Sequence, residues 1–172
     1  LSIRRQRQMC IRDRVKPIEI YSDADYAQNK LDRKSWSGMV MVFAGGPVAW
    51  HARKQKSVSL STIESEYIAV TETIREAIWT KGLLGEIELG EYIEKPTTIK
   101  IDNQGAIRLA KTKGTDRSKH IDVRHHFIRE LIEAGDIELQ YVKSNDNLAD
   151  LFTKPLPGPK TKELKTKIGL ED

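Results

Sequence analysis

Among its 172 residues the chain has a single cysteine, Cys10. No internal disulfide can form, and no Cys and His spacing matches a zinc site, so a packed core must hold the fold. No apolar run approaches the ~18 residues a membrane span needs. The succession of charged, apolar and small residues that marks a secretory signal is also missing, and a soluble protein is expected. Net charge is scarce over most of the chain. Arg4, Arg5, Arg7, Arg12, Arg14 and Lys16 against Asp13 give residues 1–17 a net +5, so of the overall +4 the remaining residues carry −1. Bulk basicity therefore does not argue for a nucleic-acid partner, and any basic surface must be local.

The length suits one domain. Residues 1–17 show no periodicity, and Pro17 separates them from the rest of the chain. They read as a disordered basic extension, either an arm for phosphates or sequence foreign to the gene, and the second is expected. The domain is expected over 18–155. Residues 156–172, with only Leu164 and Ile168 as an apolar seam, are expected to be a weakly helical tail.

Within the domain, Ile18, Ile20 and Ser22 alternate with Glu19, Tyr21 and Asp23, as in a strand with one buried face. That places Asp23 at or just past the strand's end. Ser37 to Ala44, Gly45-Gly46 and Pro47 to Arg53 form a hairpin signal, with the glycines supplying positive φ. A helix follows Ser61, and Ile63, Tyr67, Val70, Ile74 and Ile78 mark the face toward the sheet. Ser61-Thr-Ile-Glu64 fits a capping box, which occupies Glu64 and leaves Glu66 at the border of the buried face.

Thr97 to Asp102 is a second strand ending in an acid. A strand-helix-strand crossover is parallel and right-handed, which puts this strand beside the first. Asp102 and Asp23 then share one crevice at the carboxyl ends of parallel strands. Asn103 to Lys111 is a short helix, and Thr112 to His120 a polar loop. Lys111, Lys113, Arg117, Lys119 and Arg124 make up a local basic patch able to line phosphates. Val123, Phe127 and Leu131 mark a helix stopped by Gly135, and Ile137, Leu139 and Tyr141 mark the last strand. His120, His125 and His126 have no cysteine partner, and adjacent histidines point apart on a helix, so packing or surface roles are expected. Leu148 to Lys154 begins a helix before Pro155, with Asp150 in its first turn.

Each acid has an ordinary reading taken alone: turn former, solvated border residue, or favourable charge at a helix N-terminus. Together, Asp23, Glu66, Asp102 and Asp150 can converge in one crevice. Such a group stays ionised only with cations to balance it, and hard divalent ions with oxygen ligands suit it. Two Mg²⁺ ions ~4 Å apart could activate a water and stabilise a leaving oxygen, as in metal nucleases.

Several motifs carry a more specific likeness. They are Tyr21-Ser-Asp-Ala-Asp-Tyr-Ala27, Ser59-Leu-Ser-Thr-Ile-Glu-Ser-Glu-Tyr67, Ile101-Asp-Asn-Gln-Gly-Ala106, Lys119-His-Ile-Asp-Val-Arg-His-His-Phe-Ile-Arg-Glu130 and Ala149-Asp-Leu-Phe-Thr-Lys-Pro155. With them, residues 18 to about 158 resemble the ribonuclease H domain of Copia-type retrotransposon polyproteins. The resemblance implies an α/β, ribonuclease H-like three-layer fold. Its mixed five-stranded sheet would be antiparallel over strands 1, 2 and 3, parallel over strands 1, 4 and 5, and flanked by helices. It assigns the catalytic, metal-binding acids to Asp23, Glu66, Asp102 and Asp150, and implies two Mg²⁺ ions with Mn²⁺ as a substitute.

The resemblance further implies an endonuclease for the RNA strand of RNA/DNA hybrids, working beside an upstream reverse transcriptase domain in a cytoplasmic virus-like particle, without a membrane partner. Ser61, Asn103 and Gln104 are candidate contacts to ribose 2′-hydroxyls. One departure stands out. Cellular ribonucleases H carry a histidine in the loop after the last strand, where this chain has Lys143-Ser-Asn-Asp-Asn147, with Asp146 as the only candidate substitute. The alternative reading is a catalytically inactive, hybrid-binding module or a decayed element fragment. An integrase-like enzyme would need an acid on a late helix in place of Glu66, and the motifs argue against it.

Overall fold

The computed structural model describes residues 17–90, 95–112 and 119–170, with the backbone alone for 119–122. Apart from Pro17, the basic extension falls outside the described residues. The elements run β1 (Glu19–Asp25), β2 (Trp36–Phe43), β3 (Gly46–Lys54), α1 (Thr62–Glu86), β4 (Thr97–Ile101), α2 (Gln104–Lys111), α3 (Lys119–Glu133) and β5 (Ile137–Tyr141). Two 3₁₀ turns, Ser144–Asp146 and Leu148–Phe152, then lead to α4 (Gly158–Lys167). The sheet order is β3-β2-β1-β4-β5. β1, β2 and β3 pair antiparallel, whereas β1-β4 and β4-β5 pair parallel. This is the mixed five-stranded sheet that the resemblance implied.

β1 is buried on both faces, not on one. Ile20 joins Met39, Met41, Tyr67, Ile74, Ile99 and Ile101 in a core under α1, α2 and α3. Tyr21 joins Val40, Val42, Leu148, Ala149, Leu164 and Ile168 in a second core on the opposite face. Double burial also explains why β2 reads Met-Val-Met-Val without alternation, since each face meets an apolar layer. Each of these aliphatic side chains, once fully buried, contributes roughly 1.5–3 kcal/mol relative to exposure.

Asp23 is not at the end of β1. It lies inside the strand, paired with Gly38, and the antiparallel ladder continues to Asp25 opposite Trp36. The parallel ladder on the other side pairs only Ile20 with Ile99 and Tyr21 with Lys100. Asp23 therefore sits where β1 has outrun its parallel neighbour, so a crevice opens beside it although the strand goes on.

Three further expectations shift. The hairpin turn uses Ala44 and Gly45, with φ of 52° and 85°, one residue earlier than Gly45-Gly46, because Phe43 pairs with Gly46. On α1 the buried face includes Tyr67, Val70, Thr73, Ile74, Ala77 and Thr80, while Ile63 and Ile78 at the ends of the expected stripe are 38% and 45% exposed. Threonines escape a search for apolar letters, yet the Thr73 hydroxyl lies 2.9 Å from Ser22 Oγ and is part of the interface. Residues 156–172, expected to be a weakly helical tail, include α4, and Leu164 within it and Ile168 just after it are buried against β1 and β2.

Among the described residues, no helix is long and apolar enough to cross a membrane. His125 is buried, stacks on Tyr67 with ring centroids 5.8 Å apart, and places Nε2 2.8 Å from the Leu109 carbonyl. His126 is exposed, with Nδ1 2.8 Å from an Arg129 nitrogen. The His120 side chain lies outside the described residues.

Candidate active site

Asp23 is fully buried, which an ionised carboxylate tolerates only with partners. They come from the chain just beyond the second 3₁₀ turn. The Thr153 hydroxyl donates to Asp23 Oδ2, and Lys154 Nζ donates to Asp23 Oδ1 at 3.1 Å and to Asp150 Oδ1 at 2.8 Å. Asp150 occurs in the short 3₁₀ turn, not in a longer helix, and Asn147 anchors that turn. Its Oδ1 accepts from the Ala149 amide at 3.2 Å, and its Nδ2 donates to the Ser22 carbonyl at 3.0 Å.

This layer approaches the sheet closely at Gly38. A Cβ added there would fall 2.5 Å from Thr153 Cγ2 and 3.1 Å from the Ala149 carbonyl oxygen. Only glycine admits the 149–153 segment at that height above the strand.

Asp102 follows β4 and is half-buried. One ligand oxygen from each of Asp23, Asp102 and Asp150 falls within 4.8 Å of the others. Glu66 stands outside that tight triad but beside it, buried in the first turns of α1, with Oε2 lacking a hydrogen-bond partner. The N-terminus of α1 explains its position. Ser61 Oγ accepts from the Glu64 amide at 3.1 Å, and Glu64 Oε2 accepts from the Leu60 amide at 2.7 Å, so Glu64 is spent on capping and Glu66 turns inward.

Burial dominates the electrostatics of the acids, with their mutual repulsion adding to it and Lys154 opposing it. Burial, with Asp23 and Asp102 adding, pushes the Glu66 carboxyl up to about 9, against the opposing pull of Lys154 and the Ala24 amide. Burial likewise pushes Asp150 up to about 6, although Lys154 works against it. Asp25 is raised chiefly by burial. For Lys154, burial disfavours the charge, but Asp23 and Asp150 outweigh it and hold the ammonium above the usual lysine range.

The structure thus brings Asp23, Asp102 and Asp150 together, with Glu66 alongside. Of the expected nucleic-acid contacts, Ser61 is exposed but engaged as a helix cap. Asn103 caps α2, its Oδ1 accepting from the Ala106 amide at 3.0 Å. Gln104 and Lys111 are exposed at the two ends of α2, and the charge of Arg124 on α3 reaches Glu72 on α1. Lys113 and Arg117 lie outside the described residues, as does the side chain of Lys119. In the loop after β5, Lys167 donates to Asp146 at 2.9 Å and holds its carboxyl below the usual range, so Asp146 is tied to α4.

Sequence reasoning missed Gly38, Asn147, Thr153 and Lys154. A glycine inside a strand signals close approach of another backbone, and a lysine four residues after an acid signals an ion pair.

No protein-family model matches the chain. It is 41% identical over 87% of its length to the retrovirus-related Pol polyprotein from transposon TNT 1-94 of Nicotiana tabacum, covering 11% of that protein. It is 38% identical over 89% of its length to the corresponding polyprotein from transposon RE1 of Arabidopsis thaliana, covering 10% of it. The chain thus spans about a tenth of the length of these relatives.

Among solved structures, it superimposes on RNase H1 from Halobacterium salinarum with a TM-score of 0.56 at 16% identity, covering 80% of this chain and 94% of that one. For LC11-RNase H1, isolated from compost by a metagenomic approach, the TM-score is 0.59 at 13% identity, over 80% of this chain and 93% of that one. LC11-RNase H1 in complex with an RNA/DNA hybrid gives 0.56 at 11% identity, over 79% and 93%. The strand order and the superpositions give the chain a ribonuclease H-like fold, and by sequence it belongs with a segment of the retrovirus-related Pol polyproteins of transposons.

Proposed function

We propose that the chain is a Mg²⁺-dependent endonuclease that hydrolyses the RNA strand of RNA/DNA hybrids during retrotransposon reverse transcription. The observation that carries this reading is the convergence of Asp23, Asp102 and Asp150 within 4.8 Å beside a buried Glu66, in a ribonuclease H-like fold. The donor set consists wholly of carboxylate oxygens, one of them an unpartnered buried oxygen of Glu66, and this set fits hard divalent cations. Two such ions would supply an activated water and charge stabilisation at the leaving oxygen.

The chain's own residues orient and neutralise. Asp23, fixed by Thr153, is the immobile wall of the site, whereas half-buried Asp102 stands on the more open side. The balance of charge favours cation entry, because a neighbouring positive charge lets Glu66 and Asp150 ionise where burial alone opposes it. On the substrate side, Gln104 and the free amide group of Asn103 are suited to ribose 2′-hydroxyls on the RNA strand, with Ser61 near them. Lys111 and Arg124, together with Lys113, Arg117 and Lys119, are suited to the backbone phosphates. An upstream reverse transcriptase domain of the same polyprotein would share the hybrid, inside a cytoplasmic virus-like particle.

The test is incubation of the purified chain with a hybrid labelled on its RNA strand and Mg²⁺, beside Asp102→Asn. Cleavage by the native chain alone is expected. An intact hybrid in both reactions, despite binding, would sink the enzymatic reading and favour a hybrid-binding module.

A further inference from the structure

Lys154 bridges two acids of the cluster. Its Nζ bonds to Asp23 on β1 and to Asp150 beyond β5, two of the three acids whose oxygens converge within 4.8 Å. Among the described residues, no other lysine or arginine is ion-paired with any of the three. Both oxygens of Asp23 are engaged by consecutive residues, Oδ2 by Thr153 and Oδ1 by Lys154. A divalent ion coordinated by Asp23 and Asp150 would share oxygens with the ammonium at a separation where like charges repel strongly.

The backbone of Lys154 is fixed by the hydrogen bond its N–H donates to the Asp150 carbonyl oxygen at 3.1 Å and by Pro155, which confines the preceding residue. The side chain is 31% exposed, so rotation about its own torsions is enough to carry the ammonium out to water.

From this geometry we infer that Lys154 is a tethered counter-ion, which holds the acids together in the metal-free protein and must be displaced for a divalent ion to bind. The inference rests on the nuclease reading only in taking the acids as a metal site. Its consequence is that metal affinity is set by competition. The chain keeps a folded, charge-balanced site when divalent ions are scarce and yields it when they are plentiful.

Titration calorimetry of the full chain with Mg²⁺, and of Lys154→Met, tests this. The variant should melt at a lower temperature without metal, bind Mg²⁺ at least about tenfold more tightly, and gain more thermal stability from saturating Mg²⁺ than the native chain does. Equal or weaker binding by the variant would overturn the inference, as would absence of Mg²⁺ binding by both proteins.

Should the variant fail to fold without metal, the native chain supplies the readout. Acylation of lysines by an activated acetate ester, mapped by peptide mass spectrometry, should rise several-fold at Lys154 when Mg²⁺ is added, and unchanged or reduced labelling overturns the idea. Hybrid cleavage measured in the same samples separates the two proposals. A native chain that exposes Lys154 on binding Mg²⁺ yet leaves the hybrid intact refutes the nuclease, not the counter-ion.

Discussion

The two faces of the sheet are covered by different kinds of chain. On one, the 25-residue α1 lays Tyr67, Val70, Ile74 and Ala77 against the strands and contributes one acid, Glu66. On the other, a five-residue 3₁₀ turn and the ten-residue α4 form a thinner layer that supplies Asp150, Thr153 and Lys154. The helix positions its acid by burying many apolar atoms at once. The thin layer positions its groups by a few polar bonds, Asn147 to Ser22 and Thr153 to Asp23, and by the missing side chain at Gly38. Placement of the first kind tolerates small changes because it averages over many contacts. Placement of the second kind depends on single atoms.

That contrast breaks if Gly38→Ala leaves the proposed hybrid cleavage unchanged. The added methyl should displace Thr153 and with it Asp23 and Asp150, lowering stability by about 1–3 kcal/mol and hybrid cleavage by about 100-fold. Urea unfolding and single-turnover cleavage measure the two effects. Ile74→Ala should show the converse, a loss of about 2–5 kcal/mol with nearly native turnover by the molecules that remain folded. A turnover loss as severe as that of Gly38→Ala would erase the distinction between the faces.

Glu66 sharpens the comparison through pH. Its carboxyl is pushed up to about 9 in the folded, metal-free protein, chiefly by burial, against an ordinary value of 4.5. A raised folded value means that the folded state holds the proton more tightly. The resulting stability is fully present below about 4.5 and is lost as pH rises toward 9. Without metal, Glu66→Gln should remove most of this decline and be more stable than the native chain near pH 8, by an amount on the order of 2 kcal/mol. Thermal melts across pH in a chelator check it, and parallel curves for the two proteins would contradict it. The smallest effect is expected for Lys111→Gln, which touches neither face. Binding of the hybrid should weaken uniformly across sequences, and the salt dependence should flatten by about one unit of slope. Filter binding at several salt concentrations measures it.

The helix-covered face was legible in the sequence because its signals are periodic or punctuated. The capping box separated Glu64 from Glu66, and the strand-helix-strand order placed Asp102 beside Asp23. The thin face was much less legible. A 3₁₀ turn of five residues has no period to detect, and Leu164 and Ile168 are too few to announce a packed helix. Tyr21 and Asp23 looked like the solvent side of β1, since nothing local to residues 18–25 says that a segment more than a hundred positions away will cover them. The same distance hid the role of Lys154, which reads as the last residue of a short helix until the fold brings it to β1.

The bond between Thr153 and Asp23 spans 130 positions of sequence, and that between Asn147 and Ser22 spans 125. A ribosome delivers the chain from its N-terminus, so β1, β2 and β3 emerge long before the residues that complete the site. Until the 147–154 segment leaves the exit tunnel, Asp23 has neither its hydroxyl nor its ammonium partner, and Asp150 does not yet exist beside it. The acidic constellation is therefore completed only after the last strand has been made, and a nascent chain halted after β5 would contain all five strands of the sheet and no finished site.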